Sequence, residues 1–432
     1  MQPSGAAMTR AIIYDAARLF LAAGLPTPRG IDRADLDYAR VLTETWSGEV
    51  FALLPTPWGL RLYSRDMFTK ALDFLDSRWR ERMDADRDPG LAHTLRRLAG
   101  ARDVRTTRRG NRLVRTARAV RGLFSLVAAT GFQLGLSARR ASPDGAIYLN
   151  IGHLSYVAPF LEPLLRQRRD LRPIYLMHDV IPIEFPDMVV PIARRLETIM
   201  LAQMRRHAVG LIFNTEAAKR PALAVLGRDP PPEAVTIPCP LAPVFLTREP
   251  EFPAIRALNY FVICGAIEPR KNHAVLLRAW EILRMRHGAA TPKLLIIGSA
   301  AAAGHAIMAE LRALEAATDH IVLASGLSSP AVRRLVAHAR AMLMPSFAEG
   351  FGLPVIEALS QGTPVLANDT AVMREAAGRH ATYLDAFDAT AWADAIDHLM
   401  QVGGAPDQVA GFAAITRAAY FEAVQRFLEE VP

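Results

Sequence analysis

Two cysteines in 432 residues, Cys239 and Cys264, stand in unrelated contexts without CxxC spacing. That excludes a disulfide framework and a cysteine-based zinc site, and it suits a reducing compartment. Long apolar runs are missing too. The longest candidate, Gly122 to Leu136, contains three glycines and falls short of the ~18 uninterrupted apolar residues that a spanning helix needs. The early run "AIIYDAARLFLAAG" is broken by Asp15 and Arg18, so it does not read as a secretory leader. No internal repeat of fixed period is present, and no aspartate cluster suggests a metal clamp.

What is present describes a soluble globular protein. Just over half of the residues are apolar and 22% are charged. The chain is too long for one ordinary core, so two domains are expected. A net charge of +8 and a pI near 9.8 favour an anionic partner. Phosphorylated substrates, membrane surfaces and nucleic acid all qualify on charge alone.

From Tyr260 onward, short apolar runs ("YFVICGAI", "KLLIIGSA", "HIVLAS", "AMLMP", "PVLAND") alternate with amphipathic segments. This rhythm predicts a doubly wound α/β domain around a parallel sheet, over 246–405. The amino-terminal half carries "AIIYD", "VFALLP", "AIYLNIG", "PIYLMHD" and "GLIFNT" at irregular spacing. It predicts a second α/β domain over 1–245, with a charged helical insertion at about 65–140. The proline-rich stretch from Pro230 to Pro243 reads as the connection between them. Residues 406–432 are expected to form a separate helix that packs back toward the amino-terminal domain.

The stretch "PSFAEGFGLPVIEALSQGTPV" sets Glu349 and Glu357 around a Gly-Phe-Gly-Leu-Pro run. Pro354 suits the start of a helix and Gly362 its end. Glu349 then lies in the entry loop and Glu357 near the first turn. Because helical side chains lean toward the amino terminus, both carboxylates can reach one cavity. The glycines allow close backbone approach, and the free amides of the helix start favour a phosphate. A carboxylate near a helix start also suits the helix dipole, which accounts for one glutamate but not for the spacing. In the same domain "GAIEPRKNH" places Arg270 and Lys271 beyond the first strand. An arginine fork and a lysine point charge can hold a diphosphate. Read alone, that pair is also an ordinary solvated helix entry.

Together, "GAIEPRKNHAVLLRAW" and "MPSFAEGFGLPVIEALSQGTPVLA" resemble the retaining GT-B glycosyltransferases of family 4, the group 1 glycosyltransferases. "YDAARLF", "RGIDRADLDYARVL" and "HDVIPIEFPD" resemble its mannosyl- and rhamnosyltransferase subgroup of polysaccharide assembly. The resemblance implies two Rossmann-like domains facing a cleft. It implies that Arg270 and Lys271 bind the donor diphosphate, Glu357 the ribose and Glu349 the donor sugar. Gly350, Phe351, Gly352 and Leu353 would face sugar and phosphate, and Ser325 to Leu327 would line the base. His178 would lie across the cleft near the anomeric carbon, with Gly30 and Arg33 on the facing loop. The first amino-domain loop lacks the family's Gly-Gly pair, which weakens the carry-over to Gly30 and Arg33.

The implied reaction moves a hexose, with GDP-mannose the leading donor over UDP- or dTDP-linked sugars, to a saccharide or lipid-linked saccharide. It is retaining and needs no enzyme nucleophile, cofactor or metal. The alternatives are a non-catalytic partner of a polysaccharide-assembly complex, a nucleotide-sugar epimerase-like enzyme, and an anion-binding surface protein. From Arg96 to Arg121 there are ten arginines and a single acid, Asp103. With Leu113, Ala117, Val120 and Phe124 as an apolar stripe, the stretch reads as a membrane-docking helix or as a solvated helix covering its own domain. Without aromatic interleaving it does not read as a nucleic-acid module. A cytoplasmic protein, peripheral on the inner face of the membrane, is the expectation.

Overall fold

The computed structural model describes residues 9–23, 30–80, 85–101, 131, 134–153, 160–229, 231–402 and 409–432. Most of the arginine-rich stretch lies outside them. Two sheets organise the chain. The amino-terminal sheet is built from β1 (Ile12–Asp15), β2 (Val50–Thr56), β3 (Gly59–Tyr63), β4 (Leu136–Ser137), β5 (Ile147–Asn150), β6 (Arg172–Met177), β7 (Gly210–Phe213) and β8 (Glu233–Thr236). Their spatial order is β4-β3-β2-β1-β5-β6-β7-β8. The carboxy-terminal sheet comprises β9 (Tyr260–Cys264), β10 (Lys293–Ile297), β11 (Ile321–Ala324), β12 (Met342–Met344), β13 (Val365–Asn368) and β14 (Thr382–Leu384), in the order β11-β10-β9-β12-β13-β14.

The second sheet is parallel throughout. Its inner strands are covered on both faces, so they read as unbroken apolar runs, and β9 is buried at every position, whereas the edge strand β14 is half-buried. In the first sheet, β3 and β4 are antiparallel additions at one edge. Leu60 and Leu62 alternate there with half-buried neighbours, the pattern of a strand with one covered face.

The helices that bear on the site and on the domain junction are α1 (Gly30–Thr45), α2 (Pro89–Leu98), α3 (Glu216–Leu226), α4 (Ser329–Ala337), α5 (Leu353–Ser360), α6 (Ala371–Ala377) and α7 (Arg417–Glu430). Helix α7 buries Tyr420, Phe421, Val424 and Leu428 in the amino-terminal core with Tyr38, Leu42 and Trp46. Arg417 grips Asp37 at 2.8 Å, and the Tyr38 and Tyr420 hydroxyls meet at 2.6 Å.

A boundary at residue 245 does not separate the two cores. Ala85, Leu91 and Leu98, from the amino-terminal half, pack with Val322, Leu327 and Leu335 of the carboxy-terminal domain. Asp88 joins the domains through both carboxylate oxygens. One caps α2 by accepting from Gly90 N at 2.8 Å, and the other accepts from Ser328 N at 2.7 Å. Arg97 adds an ion pair to Glu315 at 3.3 Å. The amphipathic pattern announces this helix, but nothing local to it says which sheet it will cover.

Strand order places the functional loops. In each sheet the chain first runs to one side of its central strand and then to the other, which opens a crevice at the carboxyl ends. In the carboxy-terminal sheet this switch falls between β9 and β12, the strands that feed the Arg-Lys turn and the glutamate loop. In the amino-terminal sheet it falls between β1 and β5, with the β6–His178 turn beside them.

Candidate active site

Beyond β9 the chain forms a tight turn over Pro269–Lys271. Asn272 follows at φ +49° and donates to Ala386 O at 2.8 Å, which anchors the turn. Beyond β12, Phe347 N donates to Arg270 O at 2.8 Å, so the two loops are locked side by side. Arg270 donates to Ala348 O at 2.8 Å and to Glu349 Oε2 at 2.9 Å, and pairs with Glu268 at 2.6 Å. Lys271 reaches the other Glu349 oxygen at 2.5 Å. One carboxylate thus bridges two cations. Burial alone would raise the Glu349 carboxyl, but Lys271 and Arg270 hold it at about 2.

Two glycines are required in this loop. A Cβ on Gly350 would lie 2.6 Å from the carbonyl oxygen of His178, across the cleft. Gly352 adopts φ +86° to turn the chain into α5, a left-handed conformation that few other residues accept. It gives α5 no side-chain cap; Pro354 has no N–H and Val355 N donates to Gly352 O at 2.9 Å, so the Leu353 amide is the group of the first turn left for an anion. Leu353 is the first residue of that helix and Pro354 the second. Phe351 and Leu353 pack against Leu241, Phe245 and Ile356, which seats the interdomain connection beneath α5.

Glu357 is in the opposite electrical condition to Glu349. Burial pushes its carboxyl up to about 7, and only Arg33, at 3.8 Å, counters this. Arg33 belongs to α1, whose first residue, Gly30, lies against Leu353. Thus Gly30 and Arg33 of the amino-terminal domain do face the glutamate loop.

The amino-terminal face is built on neutral groups. His178, after β6, shares a hydrogen bond between Nε2 and Ile151 O at 3.0 Å. Its ring lies 4.9 Å from that of His153, after β5. Burial lowers His178 to about 4 and His153 to about 3, so both are uncharged near neutral pH. His153 sits at φ +57°, and its amide donates to Asn150 Oδ1 at 2.8 Å. Asn150 and Tyr148 in turn donate to Asp15 at 2.8 and 2.6 Å. Asp179, next to His178, is half-buried, and desolvation pushes its carboxyl up.

The structure therefore brings Arg270, Lys271, Glu349, Gly350, Glu357, His178, Gly30 and Arg33 to one cleft. Ser325 is exposed at the end of β11, whereas the Leu327 side chain is packed in the core against α2. There α2 arrives from another part of the sequence and covers the Leu327 side chain, while Ser325 stays open to solvent. Sequence reasoning also missed Glu268, Asp179, His153 and Glu375. Glu375, on α6, accepts from Glu216 N at 2.6 Å and Ala217 N at 3.0 Å, which fastens it to the start of α3 in the other domain. The "GH" after β5 and the Asp beside His178 were visible signals, but Glu375 had none. Among the described residues no group of three or more His, Cys, Asp or Glu could hold a metal ion. No helix of the described residues is long and apolar enough to cross a membrane.

Comparison with known proteins agrees with this geometry. Residues 259–402 match the family model described as "Glycosyl transferases group 1". The serotype-specific mannosyltransferase WbdA of Escherichia coli is 29% identical over 224 residues, covering 48% of this chain and 27% of WbdA. The O-antigen chain mannosyltransferase RfbU of Salmonella typhimurium is 28% identical over 154 residues, covering 36% of this chain and 41% of RfbU. The chain thus spans well under half the length of these curated relatives. Anabaena Alr3699/HepE, solved in complex with UDP and glucose, superposes with a TM-score of 0.58 at 13% identity, covering 98% of this chain and 100% of its own. The fold is the two-domain GT-B fold.

Proposed function

We propose that this chain, which carries a group 1 glycosyltransferase domain over residues 259–402 within a GT-B fold, is a nucleotide-sugar-dependent glycosyltransferase of cell-surface polysaccharide synthesis. It transfers a hexose, with retention of configuration, to a saccharide or lipid-linked saccharide. The observation that carries this is the convergence of Arg270, Lys271 and the uncapped start of α5 at the switch point of the carboxy-terminal sheet. Mannose as the sugar is supported by the names of WbdA and RfbU. GDP-mannose is accordingly the first donor to test.

The chemistry follows from charge. As the bond from the anomeric carbon to the diphosphate breaks, its electron pair leaves with the phosphate oxygen. The sugar ring gains oxocarbenium character, as in glycoside hydrolysis. Arg270, Lys271 and the Leu353 amide stabilise the departing diphosphate. The acceptor hydroxyl bonds to the anomeric carbon on the same face, and its proton passes to the leaving phosphate. Glu349 is released from its cations by the incoming diphosphate and can accept from sugar hydroxyls. Glu357 accepts from the ribose. His178, neutral near pH 7, lines the cleft opposite Gly350 without adding charge to a cationic transition state. Fixed cations take the place of a metal, so a chelator leaves turnover unchanged. Docking on an anionic membrane through Arg96–Arg121 belongs to the same proposal, and flotation with anionic and neutral vesicles tests it.

The direct test is to incubate the protein with GDP-mannose and a mannose-terminated oligosaccharide. Release of GDP with an α-linked product, seen in the anomeric proton spectrum, supports retaining transfer. A β-linked product contradicts retention. Bound GDP-mannose with no release under any acceptor would support a non-catalytic role.

A further inference from the structure

Phe387 is 73% exposed, yet the chain around it is firmly held. It lies just beyond β14, and three hydrogen bonds fix this turn. Phe387 N donates to Asp385 Oδ1 at 2.8 Å, and Asn272 Nδ2 donates to Ala386 O at 2.8 Å. Asp388 accepts from Ala391 N at 2.9 Å and caps the helix Ala389–Gln401. The Phe387 ring meets that of the half-buried Phe347, with centroids 5.2 Å apart and planes at 35°. None of these hydrogen bonds uses the Phe387 side chain, so the turn would fold with a polar residue there. A lone exposed phenyl ring is ordinary, but this one forgoes burial as half of a stacked pair on a fixed backbone.

Phe347 ties the pair to the site. It belongs to the loop after β12, two residues before Glu349, and its amide donates to Arg270 O at 2.8 Å. The helix Ala389–Gln401, which Phe387 leads into, covers one face of the carboxy-terminal sheet. Trp392 and Ile396 pack there with Val275 and Trp280. Helix α5, which carries Glu357, covers the other face through Val355 and Leu359. The aromatic pair therefore borders the Arg-Lys turn on the side away from Glu357. Carboxylates flank that turn: Glu268 pairs with Arg270 at 2.6 Å, and a Cβ on Gly350 would lie 3.0 Å from Asp179 Oδ2 across the cleft. A pyranose has an apolar face of C–H groups and a rim of hydroxyls. A fixed, exposed phenyl ring matches the face, and carboxylates accept from the rim. A nucleobase also stacks on a phenyl ring, but a ribose held by Glu357 puts the base on the α5 side.

We propose that Phe387, seated on Phe347, is a stacking subsite for a sugar ring of the acceptor glycan, outside the ring that carries the attacking hydroxyl. This rests on the glycosyltransferase assignment above and deepens it. The acceptor is then an oligosaccharide gripped along its chain, and a single sugar fills only part of its site.

Transfer from GDP-mannose to methyl mannoside, mannobiose and mannotriose, by wild type, Phe387→Ala and Phe387→Tyr, tests this. In wild type the acceptor KM should fall as the chain lengthens. Phe387→Ala should raise the mannotriose KM about five- to tenfold and abolish this gain. GDP affinity, read by calorimetry, should stay within about twofold, since no aromatic contact to the nucleotide is lost. Phe387→Tyr keeps an aromatic face and should restore the gain. Binding is read without turnover in Phe387→Trp, whose emission should change as mannotriose is added with GDP present. Wild type, with five tryptophans elsewhere, supplies the background. A length preference that survives Phe387→Ala, or none in wild type, overturns the proposal. So does weaker GDP binding in Phe387→Ala, which would put the base on this ring. Where no acceptor turns over, emission decides: no response of Phe387→Trp to mannose, rhamnose or glucose oligosaccharides overturns it as well. If wild type binds no nucleotide or nucleotide sugar at all, the glycosyltransferase assignment itself fails, a result distinct from a silent Phe387 in a protein that does bind.

Discussion

On the carboxy-terminal side of the cleft, Arg270 and Lys271 close around Glu349 within 2.9 Å, and every charge has a partner. On the amino-terminal side, His153 and His178 are held neutral, and among the described residues the Arg33 Nε has no hydrogen-bond partner. The two glutamates, Glu349 in the loop and Glu357 in α5, repeat this contrast eight residues apart. Glu349 is kept ionised, at about 2, by two adjacent cations, while Glu357 is pushed up to about 7 by burial opposite a single distant one. One sequence element thus supplies a carboxylate that substitutes for an anion and another that can respond to pH. A preassembled, neutralised cation pair lets an empty site exist without isolated charge, and the neutral histidines opposite add none to it.

The sharpest way to break this contrast is to remove the shared anion. Glu349→Ala leaves the buried Lys271 without its carboxylate and Arg270 with Glu268 alone, and should lower stability by about 3 kcal/mol. Pyrophosphate or a nucleoside diphosphate should restore much of the loss, which thermal unfolding with and without the ligand measures. A variant as stable as wild type would mean that the cations are not dependent on Glu349.

Forcing the two faces apart comes next. A methyl on Gly350 would sit 2.6 Å from His178 O, so Gly350→Ala should prevent full closure. Transfer should fall about one hundred-fold, since small displacements of reacting groups have effects of that size. Nucleoside binding, a property of one domain, should be nearly unchanged. Unaltered turnover would show that catalysis does not use the closed contact.

Titrating Glu357 sharpens the difference between the glutamates. Its folded-state value, about 7, lies above the ordinary carboxyl value, so the carboxylate appears as pH rises through 7. Hydroxyl donors favour the carboxylate, so affinity for a nucleoside diphosphate should rise roughly tenfold from pH 6 to pH 8. The stability of the empty protein should drift the other way, falling as pH rises from the ordinary carboxyl value through about 7. Calorimetry with Glu357→Gln supplies the control, in which this rise should disappear.

The smallest effect is expected at the latch between α3 and α6. Glu375 is exposed, so Glu375→Ala should shift the open–closed balance by about 0.5–1 kcal/mol, or roughly threefold. Solution scattering with and without nucleotide would report it.

Local chemistry was legible in the sequence and cross-domain chemistry was not. The apolar runs at Tyr260, Lys293, Ile321, Met342 and Val365 are strands buried on both faces, and burial on both faces is what made them visible. Strands β3, β4, β8 and β14 escaped because they are edge or near-edge strands with mixed patterning, and β8 follows a proline run. Glu349, Glu357, Arg270 and Lys271 were found because turn glycines, a helix-start proline and adjacent charges mark their loops. Glu375 lies on an ordinary helix, and its importance comes from amides more than 150 residues away. The placement of 85–98 on the far domain escaped for the same reason, and with it the burial of Leu327.

The central claim is that the carboxy-terminal face is a nucleotide-sugar donor site. Its most direct test is calorimetric binding of GDP, UDP and dTDP, with their common sugar conjugates, to wild type and to Glu357→Ala. Selective binding of one nucleotide series, weakened in the variant, is the predicted result. Folded wild-type protein that binds none of them, or binds them equally well without Glu357, would contradict it.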